Sequence, residues 1–444
     1  MDRFDVIVIG TGVAGQRAAG ELAAAGRSVA VTDAREYGGT CALRGCEPKK
    51  VLFTAAEVVE RARSHEGRGP EGSLHLDWPS LIAFKRTFTD GVPGRVEASL
   101  SGSGVVLLHG AARFISPDAI GVGGVEYSAD RYIIATGAIP RTLGIPGEEY
   151  VLDSEGFMAA ERIGSRVVFI GGGFVSFEFA HIAAAAGAAV TILHRGSRVL
   201  ETFDEDLVGM LVDGYRRAGI DVVTDAAVVE VSAGEGAFTV RCEHGLQAPA
   251  DMVVHGAGRV PAISDLGLEA AGVTYGRRGI EVDTRMRSVG NERVYAVGDA
   301  AAAGAPLTPV AIAQARAAVA DILDPGSGEF IDPVTASVVF SDPVLASVGM
   351  TPEQAAEQGV EVEVRLTDTS EWASSRRLGQ RVSGAKILTE RDSGRIVGAH
   401  LLGHAADEVI NVFALAIACE QTASSLEGVL WAYPTGASEI RSML

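Results

Sequence analysis

Two stretches of this chain repeat one pattern: an apolar run, a glycine-rich turn, an alanine-rich helix and a second apolar run. The first occupies residues 5–33, with Gly10-Thr11-Gly12-Val13-Ala14-Gly15 as its turn and Ser28 to Thr32 as its returning strand. The second occupies residues 166–193, with Val167 to Ile170 as strand, Gly171-Gly172-Gly173-Phe174-Val175-Ser176 as turn and Val190 to Leu193 as the next strand. Strand, Gly-rich turn and helix together make the dinucleotide-binding unit, in which backbone N–H groups at a helix N-terminus face a pyrophosphate. A chain carrying two of them is an α/β protein with two nucleotide sites.

The two units differ where specificity is set. In the first, Asp33 ends the returning strand, where a carboxylate accepts hydrogen bonds from a ribose diol. In the second, the strand runs into His194-Arg195, with Arg198 just beyond, so a 2′-phosphate is welcome and NADPH is expected over NADH. The opposing reading makes Arg195 and Arg198 solvated loop residues, and Glu201 weakens the positive field.

Between the units, Ile133-Ile134-Ala135-Thr136-Gly137 ends a strand in a glycine turn, and after the second unit Val294 to Val297 runs into Gly298-Asp299. Both look like returns to the first sheet. From Pro333 the texture changes to alternating segments at Ala336 to Phe340, Gly384 to Thr389 and Ile396 to Leu402, followed by a helix at Ala406 to Cys419, which reads as a further α+β domain. A chain of 444 residues fits two to four domains. The expected division is 1–147 and 265–330 for one nucleotide-binding domain, 148–264 for the other, and 331–444 for the last.

A formal charge of −19 argues against a nucleic-acid partner, whose phosphates demand clustered Lys and Arg. The first strand begins almost at Met1 and no run approaches the length of a membrane span, so a cytoplasmic protein is expected. Four cysteines cannot staple so long a chain. Cys242 and Cys419 are isolated and read as packing or surface residues. Cys41 and Cys46, in Gly38-Gly39-Thr40-Cys41-Ala42-Leu43-Arg44-Gly45-Cys46-Glu47-Pro48-Lys49-Lys50, stand five apart at a helix start. That is somewhat too far for a relaxed bridge, so a disulfide here is easily reduced and points to redox chemistry. No zinc ligands at suitable spacing accompany them, and no metal site is expected.

With these motifs in place, the sequence resembles the class I pyridine nucleotide-disulfide oxidoreductases, the family of glutathione reductase and dihydrolipoamide dehydrogenase, over essentially its whole length. The resemblance implies two Rossmann-like domains, for FAD and NAD(P), and a C-terminal α+β dimerisation domain. FAD would meet Gly10, Gly12, Val13, Ala14, Gly15, Asp33, Ala34, Gly39, Thr40, Ala112, Ala135, Thr136, Gly137, Gly298, Asp299 and the run Leu307-Thr308-Pro309. The nicotinamide nucleotide would meet Gly171, Gly173, Phe174, Val175, His194, Arg195, Arg198, Gly258 and Arg259, with Phe174 as the aromatic lid. Cys46 would be the thiolate against the flavin and Cys41 the interchange thiol, while Lys49 would pair with Glu178 beside the flavin. A twofold homodimer would let the C-terminal segment complete the partner's active site.

The sequence departs from the family where protons are moved. Disulfide reductases carry His-Pro-Thr followed by a Glu; here the segment is Tyr433-Pro434-Thr435-Gly436-Ala437-Ser438-Glu439. Tyr433 stands in place of the histidine and Ser438 in place of the glutamate, with Glu439 one position late. A phenol near pKa 10 is a poor base at neutral pH. The arginine that grips a glutathione carboxylate falls on Gly20, although Arg316 matches another glutathione-reductase arginine. The expected activity is therefore FAD-dependent, NADPH-preferring reduction of a small disulfide through Cys41 and Cys46. Two alternatives stand beside it: a reductase of a non-disulfide electrophile, or a soluble transhydrogenase, which shares Tyr-Pro-Thr but lacks one of the two cysteines.

Overall fold

The computed structural model describes residues 2–444, which form two compact units. The first comprises residues 2–50, 83–141 and 258–332. Its sheet runs in the order Val106–His109, Val29–Asp33, Asp2–Ile9, Val125–Ile134, Ala119–Val122, Ala112–Ser116, and Val294–Ala296 also pairs in parallel with Val125–Ile134. Both expected returns to the first sheet are thus present. The central strand is apolar at every position from Val6 to Ile9 because both of its faces are covered. Val6 and Val8 pack with Ala14, Ala18 and Leu22 of the helix Val13–Ala24, whereas Ile7 and Ile9 pack on the other face with Phe114, Tyr132 and Ile280.

The second unit comprises residues 51–82, 142–257 and 333–444. A parallel sheet of four strands, in the order Ile220–Val223, Ala189–Leu193, Arg166–Ile170, Met252–His255, carries the helix Phe174–Ala185, and a three-stranded antiparallel sheet is inserted in sequence between its strands Ile220–Val223 and Met252–His255. The remainder is a five-stranded antiparallel sheet, Ser337–Val339, Leu345–Gly349, Ile396–Leu402, Gly384–Glu390, Val362–Asp368, overlaid by the helix Ala406–Ala418. Of the alternating segments read from sequence, Gly384–Glu390 and Ile396–Leu402 are inner strands of this sheet and Ser337–Val339 is an edge strand, while the inner strand Leu345–Gly349 was not read from sequence.

One buried ion pair ties these parts of the second unit together. Asp204 caps the helix Glu205–Arg217 by accepting from the Leu207 N–H, and its other oxygen meets the Lys386 ammonium at 2.5 Å on strand Gly384–Glu390. Asp206 lies 2.6 Å from the same ammonium. These carboxylates hold the Lys386 pKa up against its burial. Among the described residues, no helix is long and apolar enough to cross a membrane.

Candidate functional site

The first glycine turn is built for close backbone approach. Gly10 has φ +107°, and a Cβ there would lie 2.3 Å from the Ala135 carbonyl oxygen; a Cβ on Gly15 would lie 2.0 Å from that of Gly10. Gly39, at φ +71°, brings the cysteine-bearing segment against the turn so tightly that its Cβ would sit 2.3 Å from the Gly12 Cα. A Cβ on Gly12 would lie 3.9 Å from the Gly39 Cα, and the helix Val13–Ala24 starts there without a side-chain cap. Its first N–H groups are left to an external acceptor.

Asp33 lies where the sequence puts it, and one carboxylate oxygen accepts from both the N–H and hydroxyl of Thr11, at 2.8 and 2.7 Å. The carboxylate thereby braces the turn while keeping lone pairs for a diol. Ala34 follows it, and Ala112 opens the edge strand Ala112–Ser116. Ala135, Thr136 and Gly137 lie just beyond the end of strand Val125–Ile134. The Thr136 hydroxyl is buried with no hydrogen-bond partner in the protein. An uncapped helix start, backbone packed too closely for side chains and an orphaned hydroxyl fit a dinucleotide such as FAD. Gly298 and Asp299 form a short turn in which burial raises the Asp299 carboxyl, opposed by the charge of Arg259. Arg259 donates to the Ala138 carbonyl, two residues after Thr136.

Cys41 and Cys46 do not share one helix start as the sequence suggested. Cys41 lies within the short helix Gly39–Arg44, the chain breaks at Gly45 (φ −144°, ψ −113°), and Cys46 opens the helix Cys46–Ser64. A Cβ on Gly45 would lie 3.0 Å from the Thr40 carbonyl oxygen, a tight contact that glycine avoids. Both cysteines are free thiols, Cys41 half-buried and Cys46 exposed. Thr308, first residue of the helix Thr308–Leu323 after Leu307 and before Pro309, donates its hydroxyl to the Cys41 sulfur at 3.5 Å and lies 4.0 Å from that of Cys46.

The two thiols are electrically unequal. A hydrogen bond from Cys41, assisted by the Lys49 charge and by Thr308, brings the Cys46 thiol down to about 6. Cys41 is pushed the other way, first by its hydrogen bond to Cys46 and then by burial, with the charges of Cys46 and Glu47 adding to the effect. The pair therefore shares one proton, held on Cys41.

In the second unit, a Cβ on Gly171 (φ +108°) would meet the Ala257 backbone at 2.6 Å, and Gly173 opens the uncapped helix Phe174–Ala185. Phe174 is half exposed and Val175 partly buried at this entrance, and the buried Ser176 hydroxyl has no partner. His194 accepts the Gly172 N–H on Nδ1 at 3.0 Å and lies 4.0 Å from Glu201. Arg198 is partly spent on Glu205 at 3.5 Å, while Arg195 is exposed without an ion-pair partner among the described residues. Gly258, in the first unit, has φ +110° and passes its carbonyl to the Arg141 N–H. Glu178 is almost fully buried in the second unit and accepts the Phe340 N–H at 3.0 Å. Lys49 belongs to the first unit, one turn into the helix Cys46–Ser64.

The C-terminal segment shows why a serine serves at position 438. Thr435 accepts the Ser438 N–H while the Ser438 hydroxyl accepts the Thr435 N–H, a capping box that starts the turn Gly436–Glu439. Tyr433 is 87% exposed, and with Glu439 it lines a cavity of about 810 Å³ that also holds His404, Arg377 and Trp372.

Comparison with known proteins decides the family. The family described as pyridine nucleotide-disulphide oxidoreductase matches residues 4–315, and its dimerisation domain matches residues 335–444. The chain belongs to the pyridine nucleotide-disulphide oxidoreductases. It is 32% identical over 441 residues to a glutathione reductase of Burkholderia cepacia, covering 98% of this chain and 97% of that one. It is 33% identical over 443 residues to a dihydrolipoyl dehydrogenase of Thermus scotoductus, covering 98% and 95%. The solved HOCl-induced flavoprotein disulfide reductase RclA from Escherichia coli superposes with a TM-score of 0.89 at 27% identity, covering 99% of each chain. Membership makes this protein an NAD(P)H:disulfide oxidoreductase whose cofactors are FAD and a pyridine nucleotide. No cluster of three or more metal-ligating side chains accompanies them among the described residues.

Sequence reasoning assigned Thr308 to the cofactor alone and missed its hydroxyl between the two sulfurs. The residues lie 262 and 267 positions apart, and no sequence signal links them.

Proposed function

We propose that this oxidoreductase prefers NADPH to NADH and reduces a small disulfide through a bridge that opens and closes between Cys41 and Cys46. The observation that carries this reading is the unequal dithiol beneath one threonine hydroxyl. The preference for NADPH rests on Arg195, exposed and without an ion-pair partner among the described residues, because the second returning strand runs into His194-Arg195 instead of an acid. Bound FAD supplies a relay for an electron pair between the nicotinamide and the cysteine bridge.

The chain's own residues then act on protons and sulfur. Cys41 attacks one sulfur of the acceptor RS–SR; that S–S bond breaks, and the first RSH leaves with the Cys41 proton. Cys46, ionised near neutrality, attacks the Cys41 sulfur of the mixed disulfide; the second RS⁻ takes a proton from water and the bridge closes. The acceptor gains two electrons and the dithiol loses two. Lys49 holds the Cys46 thiolate and, in this reading, pairs with Glu178. The cofactor and nucleotide contacts expected from the family, the domain division at 147, 264 and 330, and a homodimer in which Tyr433 and Glu439 border the partner's site belong to the same proposal.

An anaerobic titration of the FAD-loaded enzyme tests it. NADPH should produce a long-wavelength absorbance band after two electrons and make Cys41 alkylatable, with NADH less effective. Full flavin bleaching at two electrons with both cysteines unchanged would sink the dithiol reading and leave transhydrogenase or flavin-only chemistry.

A further inference from the structure

The charges around the cysteine pair bear on which disulfide it takes. Glu47 follows Cys46 in the first turn of the helix Cys46–Ser64, exposed, and no hydrogen bond or ion pair engages its carboxylate among the described residues. Three arginines of the same unit already face carboxylates. Arg44, between the two cysteines, is drawn onto Glu36 at 2.7 Å with its side chain only 11% exposed. Arg316 lies 3.7 Å from Glu21, which also binds Arg17 at 3.2 Å. An anionic acceptor approaching this unit therefore meets an unpaired carboxylate and arginines already spoken for.

We infer that Glu47 sets the charge preference of the enzyme, selecting neutral or cationic small disulfides over an anionic one such as glutathione disulfide. The inference rests on the dithiol reading of the same site. An exposed carboxylate next to the cysteine pair in the chain attracts a cationic substrate and repels an anionic one through a field that added salt screens. The negative charge also reaches Cys41, whose thiol it helps to keep protonated.

The test uses holoenzyme whose dithiol has been reduced with dithiothreitol and freed of reductant. Loss of the free Cys41/Cys46 dithiol is followed by peptide mass mapping under two methanethiosulfonate reagents of similar size, one carrying a trimethylammonium group and one a sulfonate, with Cys419 as internal reference. The cationic reagent should react faster at the pair than its ratio at Cys419 predicts. Glu47→Gln should shrink that excess about tenfold at low salt, while Glu47→Asp preserves it. In turnover, kcat/KM should fall in the order cystamine, bis(2-hydroxyethyl) disulfide, glutathione disulfide, with Glu47→Gln compressing the range. An unchanged reagent ratio in Glu47→Gln, or glutathione disulfide as the best of the three acceptors, overturns the inference alone. Failure of NADPH to make the pair alkylatable overturns the dithiol reading and this inference with it.

Discussion

Replacing Cys41 by Ala and by Ser separates the causes of the Cys46 ionisation. Cys46 falls from 9 to about 6, with the hydrogen bond from Cys41 as the largest cause. A hydrogen bond to a charged acceptor contributes about 1.5–3 kcal/mol net. Removing it destabilises the thiolate relative to the thiol, so Cys41→Ala should move Cys46 up to about 7–8, the Lys49 and Thr308 contributions remaining. At pH 7 the thiolate fraction should drop from about nine-tenths to about half or less. Cys41→Ser keeps an O–H donor and should leave Cys46 near its original value. Because the Cys46 pKa is depressed on folding, the stability it contributes is full above its unfolded value of 9 and is lost as pH falls through about 6. The assay is the pH dependence of thiolate absorbance and of iodoacetamide labelling, in protein carrying Cys242→Ala and Cys419→Ser. The reasoning fails if Cys41→Ala titrates with the same midpoint as the parent. It fails equally if Cys41→Ser rises as far as Cys41→Ala, since the donor would then be irrelevant.

Two further outcomes concern the scaffold. Gly39→Ala places a methyl 2.3 Å from the Gly12 Cα at φ +71° and should cost about 2–4 kcal/mol; thermal unfolding and FAD retention after gel filtration should both decline, and full retention with an unchanged melt would refute the close approach. Lys386→Met leaves the Asp204 carboxylate, 1% exposed, without its cation and should cost about 3–5 kcal/mol, read as a lowered denaturation midpoint; a restored midpoint in the Lys386→Met, Asp204→Asn double variant would confirm that the loss comes from the stranded charge.

The parts of this protein legible in sequence are those whose physics is local. Gly10, Gly12 and Gly15 announce a turn because only glycine lets the strand, helix and following loop meet backbone to backbone, and the apolar run Val6 to Ile9 announces a strand covered on both faces. Cys41 and Cys46 announce redox chemistry by their spacing, yet the break at Gly45 that puts them on separate helices depends on the approach of the Thr40 carbonyl, which spacing does not encode. Thr308 illustrates the limit more sharply: its motif was readable, but its hydroxyl lies between the sulfurs only because the helix Thr308–Leu323 begins beside a segment more than 260 residues earlier. The same holds for Lys386, an ordinary strand lysine in sequence that is nearly buried between Asp204 and Asp206 once the unit folds.

The altered C-terminal segment and the unequal dithiol bear on one another. At position 438 the serine closes a capping box with Thr435, so it holds its own turn. Tyr433 brings a phenol, which cannot take a thiol proton at neutral pH. A disulfide exchange nevertheless needs only one thiolate at each step and one proton for each leaving sulfur. Cys46 supplies a thiolate near neutrality from within the pair, and Cys41 carries the proton that the first leaving thiol requires. The step left without help is ionisation of Cys41 itself, which Cys46 and Glu47 both oppose. That step sets the demand on the acceptor: its leaving thiol must be acidic enough, or its charge favourable enough, to draw out a nucleophile held protonated. A cationic amine beside the scissile sulfur meets both conditions, lowering the leaving thiol's pKa and being drawn toward Glu47.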